Sequence, residues 1–178
     1  RNPFGFSSKD RGKINYYKDA VTLLTSAGNR YVDRAAVSSG QTMVDDYKVV
    51  ISKVTAEHAG EPDKNGFFKI ISSNRILSPN SACTDSYLVI FHSNDEIRAK
   101  NYLKYMRTKF YRALLMLSVS SINLSAEKFK FIPEQDLTLN SDIDWTKSVS
   151  EINDQLNKKY GLTPDEIVFV ETKIKDMA

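Results

Sequence analysis

A single cysteine, Cys83, stands among 178 residues, so no disulfide can form within the chain and a cysteine-rich zinc site is excluded. Glycine occurs 7 times and proline 5 times, too rarely for a low-complexity or fibrous chain. None of the glycines falls in a GxGxxG or Walker pattern, so no phosphate-cradling loop is present. GxSxG and HExxH are also missing, and the two histidines, His58 and His92, stand far apart. There is no apolar run of 18 residues and no secretory leader, which favours a cytoplasmic protein with no membrane partner. The sequence opens on Arg1-Asn2-Pro3 rather than Met, as expected of a piece of a longer protein.

What is present is an ordinary globular balance, 41% hydrophobic and 26% charged. The net charge of +3 hides an asymmetry. Residues 1–125 carry 18 Lys and Arg against 11 Asp and Glu, whereas residues 126–178 carry 7 against 11. A basic body with an acidic tail suits a polyanionic partner for the body.

The periodicity predicts an α+β fold: a twisted, mostly antiparallel sheet, one long basic helix and a C-terminal helical hairpin. Strand composition recurs at 21–24, 31–32, 47–54, 67–71 and 86–91, rich in β-branched and aromatic residues. Polar segments at 38–40, 59–66 and 78–81 read as loops. Asn94-Asp95-Glu96 then starts a helix, and Ile97, Leu103, Met106, Phe110, Leu114 and Leu117 continue it at helical spacing. On one continuous wheel Arg98, Tyr105, Lys109 and Arg112 lie opposite this stripe, with Lys100, Lys104 and Arg107 on a flank. Two capping boxes follow an extended segment at 129–139: Ser148-Val149-Ser150-Glu151, and Thr163-Pro164-Asp165-Glu166 with Pro in the first helical position. The domain reading is a DNA-recognition body over 1–125 and a linker with a small helical hairpin, packed on it, over 126–178.

Several segments together carry a resemblance that covers essentially the whole chain and is specific over 85–178. Arg1-Asn2-Pro3-Phe4-Gly5-Phe6 opens it, Asp144-Trp145-Thr146 lies within it and Ile174-Lys175-Asp176-Met177 ends it, around four longer runs. Asp85-Ser86-Tyr87-Leu88-Val89-Ile90 is followed by Asn101-Tyr102-Leu103-Lys104-Tyr105-Met106-Arg107. Phe131-Ile132-Pro133-Glu134-Gln135-Asp136 comes next, then Lys159-Tyr160-Gly161-Leu162-Thr163-Pro164-Asp165-Glu166-Ile167. This order resembles the C-terminal target recognition domain of bacterial restriction-modification adenine methyltransferases, including forms fused to an endonuclease. The resemblance implies sequence-specific binding of double-stranded DNA. It also implies an N-terminal methyltransferase domain of the same chain, with S-adenosylmethionine, and Mg²⁺ in fused nucleases, as that domain's cofactors. The family's Asn/Asp-Pro-Pro-Tyr/Phe motif is missing here, so no catalytic residue, cofactor or metal ligand is assigned to this fragment.

Residue type and position suggest the contacts. Lys9, Arg11, Lys13, Lys100, Lys104 and Arg107 are candidates for phosphates, which need charge but carry no sequence information. Arg30, Arg34, Gln41, Lys53, Asn74 and Arg75 are candidates for base edges, where Arg suits guanine and Asn or Gln suits adenine. Three alternatives remain open: a stand-alone specificity subunit, a protein-interaction module with no nucleic-acid role, and a metal-dependent nuclease built on Glu171-Thr172-Lys173, whose Glu-x-Lys spacing belongs on a strand but here falls in a predicted helix.

Overall fold

The computed structural model describes residues 2–54, 61–119 and 124–177. His58, and the start of the loop read at 59–66, lie outside the described residues. The fold is α+β, and the chain divides into two compact units. Residues 1–53 and 73–99 form the first unit; residues 54–72 and 100–178 form the second.

The first unit contains two three-stranded sheets where the sequence suggested one. β1 (Val21–Thr25) and β2 (Gly28–Val32) make a hairpin, paired from Val21 with Val32 to Thr25 with Gly28. The Thr25 hydroxyl closes the turn: it accepts from the Ala27 N–H (3.2 Å) and donates to the Gly28 carbonyl (2.7 Å). On its other side β1 runs parallel to β5 (Ser81–Cys83). In the second sheet β3 (Tyr47–Ser52) lies between β4 (Asn74–Leu77) and β6 (Tyr87–Ser93), antiparallel to both. Its central position explains the unbroken apolar run Val49-Val50-Ile51, all fully buried. The core gathers Phe4, Phe6, Leu23, Leu24, Val44 and Ala82, with Cys83 among them. Burial pushes the Cys83 thiol up to about 12, so it is an inert core residue.

Lys48 is fully buried within β3. Its ammonium donates to the carbonyls of Met43 (3.0 Å), Val44 (2.9 Å) and Asp46 (2.8 Å), which lets a charge sit inside the sheet.

The long helix is two helices. α1 (Glu96–Arg107) starts where expected, with the Asp95 carboxylate accepting from the Ile97 N–H at 2.8 Å. α2 (Lys109–Ser118) begins again after Thr108, whose backbone is extended (φ −63°, ψ 150°). The Thr108 hydroxyl caps α2 by accepting from the Tyr111 N–H (3.2 Å) and ties back by donating to the Tyr105 carbonyl (2.7 Å). The break resets the helical phase, and the continuous wheel fails. Past the break Arg112, read as solvent-facing, is 3% exposed and Leu117, read as core, is 79% exposed. Within α1 itself the buried face holds Ala99, Tyr105 and Met106, so Tyr105, read as solvent-facing, is 1% exposed and Ile97, read as core, 54%.

In the second unit α3 (Val149–Lys159) and α4 (Pro164–Lys173) carry the two capping boxes read from the sequence, and Gly161 (φ 64°) turns the chain between them. Both helices pack on α2. The apolar segment 67–71 forms no named strand. Phe68 makes a single parallel bridge to Ile174: its N–H donates to the Lys173 carbonyl (2.7 Å) and its carbonyl accepts from the Lys175 N–H (3.1 Å). Its composition promised burial, and Ile70 and Ile71 are indeed buried, but without a ladder.

Candidate nucleic-acid interface

β2 is an edge strand, and a row of backbone groups on an edge must be covered or used. Here the N-terminal segment covers it. Lys13 and Tyr31 exchange both backbone hydrogen bonds, at 2.8 and 2.9 Å. Gly12, at φ 64°, permits the approach; a Cβ there would meet the Tyr31 carbonyl oxygen at 2.9 Å and Val32 at 3.0 Å. Asp10 fixes the preceding turn by accepting from the backbone N–H (2.6 Å) and hydroxyl (3.0 Å) of Ser7.

This docking gathers cations and rings along one edge of the first unit. Lys13 makes the bridge, with exposed Lys9 and Arg11 before it and Lys18 after it in the sequence, and Arg30 on β2 stands beside Gly12. The Arg11 guanidinium donates to the Ser8 carbonyl (2.6 Å) and that of Arg30 to the Asn29 carbonyl (2.8 Å). Tyr16 meets Tyr31 edge to face at 5.4 Å, and the Lys13 ammonium sits 4.2 Å from the centre of the Tyr17 ring. Tyr16 is 64% exposed and Ile14 75% exposed, so an apolar and aromatic surface lies among the charges. Burial and a hydrogen bond to Asp33 raise the Tyr17 hydroxyl above its ordinary pKa, so it stays neutral and able to donate. Residues of the right kind to meet phosphates and unstacked or edge-exposed bases are thus interleaved. Lys18, Tyr16 and Tyr31 were not among the residues read from sequence. The alternation Lys9-x-Arg11-x-Lys13, a strand period next to Tyr16-Tyr17-Lys18, was the available signal.

The other candidates fall in separate places. Arg75 is exposed on β4 beside Asn74, and among the described residues it has no polar partner. Gln41 is exposed and donates to the Val37 carbonyl (2.9 Å); Lys53 lies just past β3, its N–H on the Ser86 carbonyl (2.9 Å). Arg34 is not open: its guanidinium forks onto both carboxylate oxygens of Asp45, one of them at 2.9 Å. That bond raises the Arg34 pKa and lowers that of Asp45.

In the second unit Lys100 is exposed on α1, but Lys104 turns its ammonium to the carbonyls of Trp145 (2.7 Å) and Lys147 (3.0 Å). Arg107 lines a pocket of about 180 Å³ with Lys109, Arg112, Asn153 and Glu171. There Lys109 pairs with Glu171 (3.0 Å) and Asp176 (3.2 Å). Arg112 donates to the carbonyls of Thr108 (3.2 Å), Arg107 (3.1 Å) and Lys175. Burial pulls the Arg112 pKa down to about 10, against the pull of Asp176 and Glu171. The basic character of the helical segment is therefore partly internal: three of its six cations, Lys104, Lys109 and Arg112, hold the second unit together.

Glu171, half of the nuclease-like pair, also accepts from Asn153 Nδ2 at 2.9 Å, and it lies on α4, not on a strand. Among the described residues no group of three or more His, Cys, Asp or Glu side chains is placed to hold a metal. Comparison with protein-family models, curated proteins and solved structures finds no match for this chain.

Proposed function

We propose that this chain is the site-selecting part of a restriction-modification adenine methyltransferase. It binds double-stranded DNA, and a methyltransferase domain beyond this chain, with S-adenosylmethionine, modifies the selected site. The observation that carries the DNA reading is the edge of β2, where the docked N-terminal segment sets Lys13 and Arg30 beside the rings of Tyr16, Tyr17 and Tyr31, with Lys9, Arg11 and Lys18 near Lys13 in the sequence. The resemblance, specific over residues 85–178, supplies the family.

In this reading that edge grips the phosphate backbone through Lys9, Arg11, Lys13 and Lys18. Such contacts fix register and supply affinity without choosing a sequence. Choice then falls to donors that reach base edges. Arg30 on β2 and Arg75 with Asn74 on β4 are the best placed, and each two-pronged contact would contribute about 1–3 kcal/mol of discrimination. Arg34 serves only if the DNA takes it from Asp45. The chemistry of methyl transfer needs the base turned out of the stack, which is the neighbouring domain's task.

The test is fluorescence anisotropy of this chain with labelled random-sequence duplexes, then selection and sequencing of the duplexes retained. Binding at 50 mM salt that weakens at 200 mM, and a recovered consensus, support the reading. Failure to bind any duplex at the lower salt overturns it.

A further inference from the structure

The second unit has an apolar groove of about 430 Å³ between α2 and α4, lined by Phe110, Leu114, Leu117, Leu162 and Phe169, with Asp165 at its rim. Leu117 is 79% exposed, Phe169 45% and, next to it, Val168 60%. A soluble protein rarely leaves large apolar side chains clustered around an open groove without a partner. Phe169 is both part of the wall and a projecting ring, so the same face offers a knob and a hole.

The charges say what covers it. Asp165, Phe169 and Lys173 follow one another at four-residue intervals, which puts them in line along one face of α4. All three are exposed, and neither Asp165 nor Lys173 forms an ion pair among the described residues. With a rise of 1.5 Å per residue, the carboxylate and the ammonium lie about 6 Å to either side of the ring. This pattern is its own complement under a two-fold rotation: turned end for end about Phe169, it brings Asp165 to Lys173 and Lys173 to Asp165. Glu166 does not disturb the match, because its carboxylate is held by the Thr163 N–H (2.7 Å) and hydroxyl (2.8 Å) on its own helix.

We propose that the occupant of this groove is a second copy of the chain. The two α4 helices cross antiparallel about a two-fold axis beside Phe169, each ring enters the other copy's groove next to Leu117, and two Asp165–Lys173 pairs flank the rings. A closed, self-matching interface of this kind stops at two copies.

Sedimentation equilibrium of this chain from about 1 to 100 μM tests it. A monomer–dimer equilibrium is expected. Asp165→Lys and Lys173→Glu alone each place like charges together and weaken the dimer by about tenfold or more, while the double variant carrying both restores it. Leu117→Lys, at an exposed position, leaves the circular dichroism spectrum unchanged and gives a monomer. A wild-type chain that stays monomeric throughout the range overturns the proposal. So does a dimer indifferent to the single reversals or to Leu117→Lys, and so does a double variant that fails to recover. A face built for a foreign partner would show the first of these patterns, a chain that stays monomeric throughout the range.

Discussion

Thr108 decides where one helix stops and the next begins, and it does so with one hydroxyl. That oxygen accepts from Tyr111 and donates to Tyr105, and the residue is fully buried. Valine has nearly the same shape but neither bond. Thr108→Val is expected to cost about 1–2 kcal/mol, because the Tyr111 N–H is left without a partner away from water. The melting temperature should fall by roughly 2–8 °C, and Thr108→Ser should recover most of the loss. Differential scanning calorimetry of the three chains checks both parts. Lys48 makes a different residue-scale prediction. Burial pulls its pKa down from 10.5 to about 8, with Asp46 opposing. Between those values the unfolded chain binds a proton that the folded chain has released, so stability climbs as pH rises from about 8 towards 10.5. The neutral amine keeps two donors for the carbonyls around it. Lys48→Met has no proton to exchange and should lose this upward slope, as denaturant titrations at pH 7.5, 9 and 10 would show. A slope equal to that of the wild type would assign the effect to other groups.

Elements differ in how plainly the sequence announces them. The two capping boxes were legible because the cap is local: a Ser or Thr, and a Glu three residues on, settle the start of α3 and of α4 without help from the rest of the chain. β3 was legible from its β-branched centre. The break at Thr108 was not, since neither Gly nor Pro marks it and a threonine within a helical pattern is common; only its buried bonds reveal it as a cap. Segment 67–71 misled for the opposite reason. Its apolar, β-rich composition reports burial, and burial was found, but its partner is the chain's distant end at Ile174, which no local pattern indicates. That pairing makes a prediction. Ile174 is fully buried, and Ile174→Ala should cost about 2–5 kcal/mol. The loss belongs to the second unit, so the Phe68 and Lys175 amides should exchange faster with deuterium. The amides of β3, in the first unit, should keep their protection. Uniform loss across both would show that the bridge is not a local element.

For the molecule as a whole, the uneven charge was visible in the sequence, but its distribution between surface and interior was not. Residues that look alike on paper do different work in the fold: Lys9, Arg11 and Lys13 are exposed on the N-terminal segment, Arg11 bonding the nearby Ser8 and Asp10 carbonyls, whereas Lys104 ties α1 to the distant carbonyls of Trp145 and Lys147. Salt dependence separates the two kinds. Each cation that displaces counterions from duplex DNA adds about 0.9 to the slope of log K against log salt. Replacing Lys9, Arg11 and Lys13 together by Ala should therefore flatten the slope by about 2–3 and weaken binding to every duplex alike. Arg75→Ala should lower the slope by at most about 1 but alter which sequences are retained. Lys104→Met should leave the slope unchanged and lower the melting temperature, because the carbonyls of Trp145 and Lys147 lose a shared donor. Titrations between 50 and 200 mM salt measure all three. A steeper loss from Lys104→Met than from the triple variant would move the DNA face from the β2 edge to the helical unit and reverse the assignment made here.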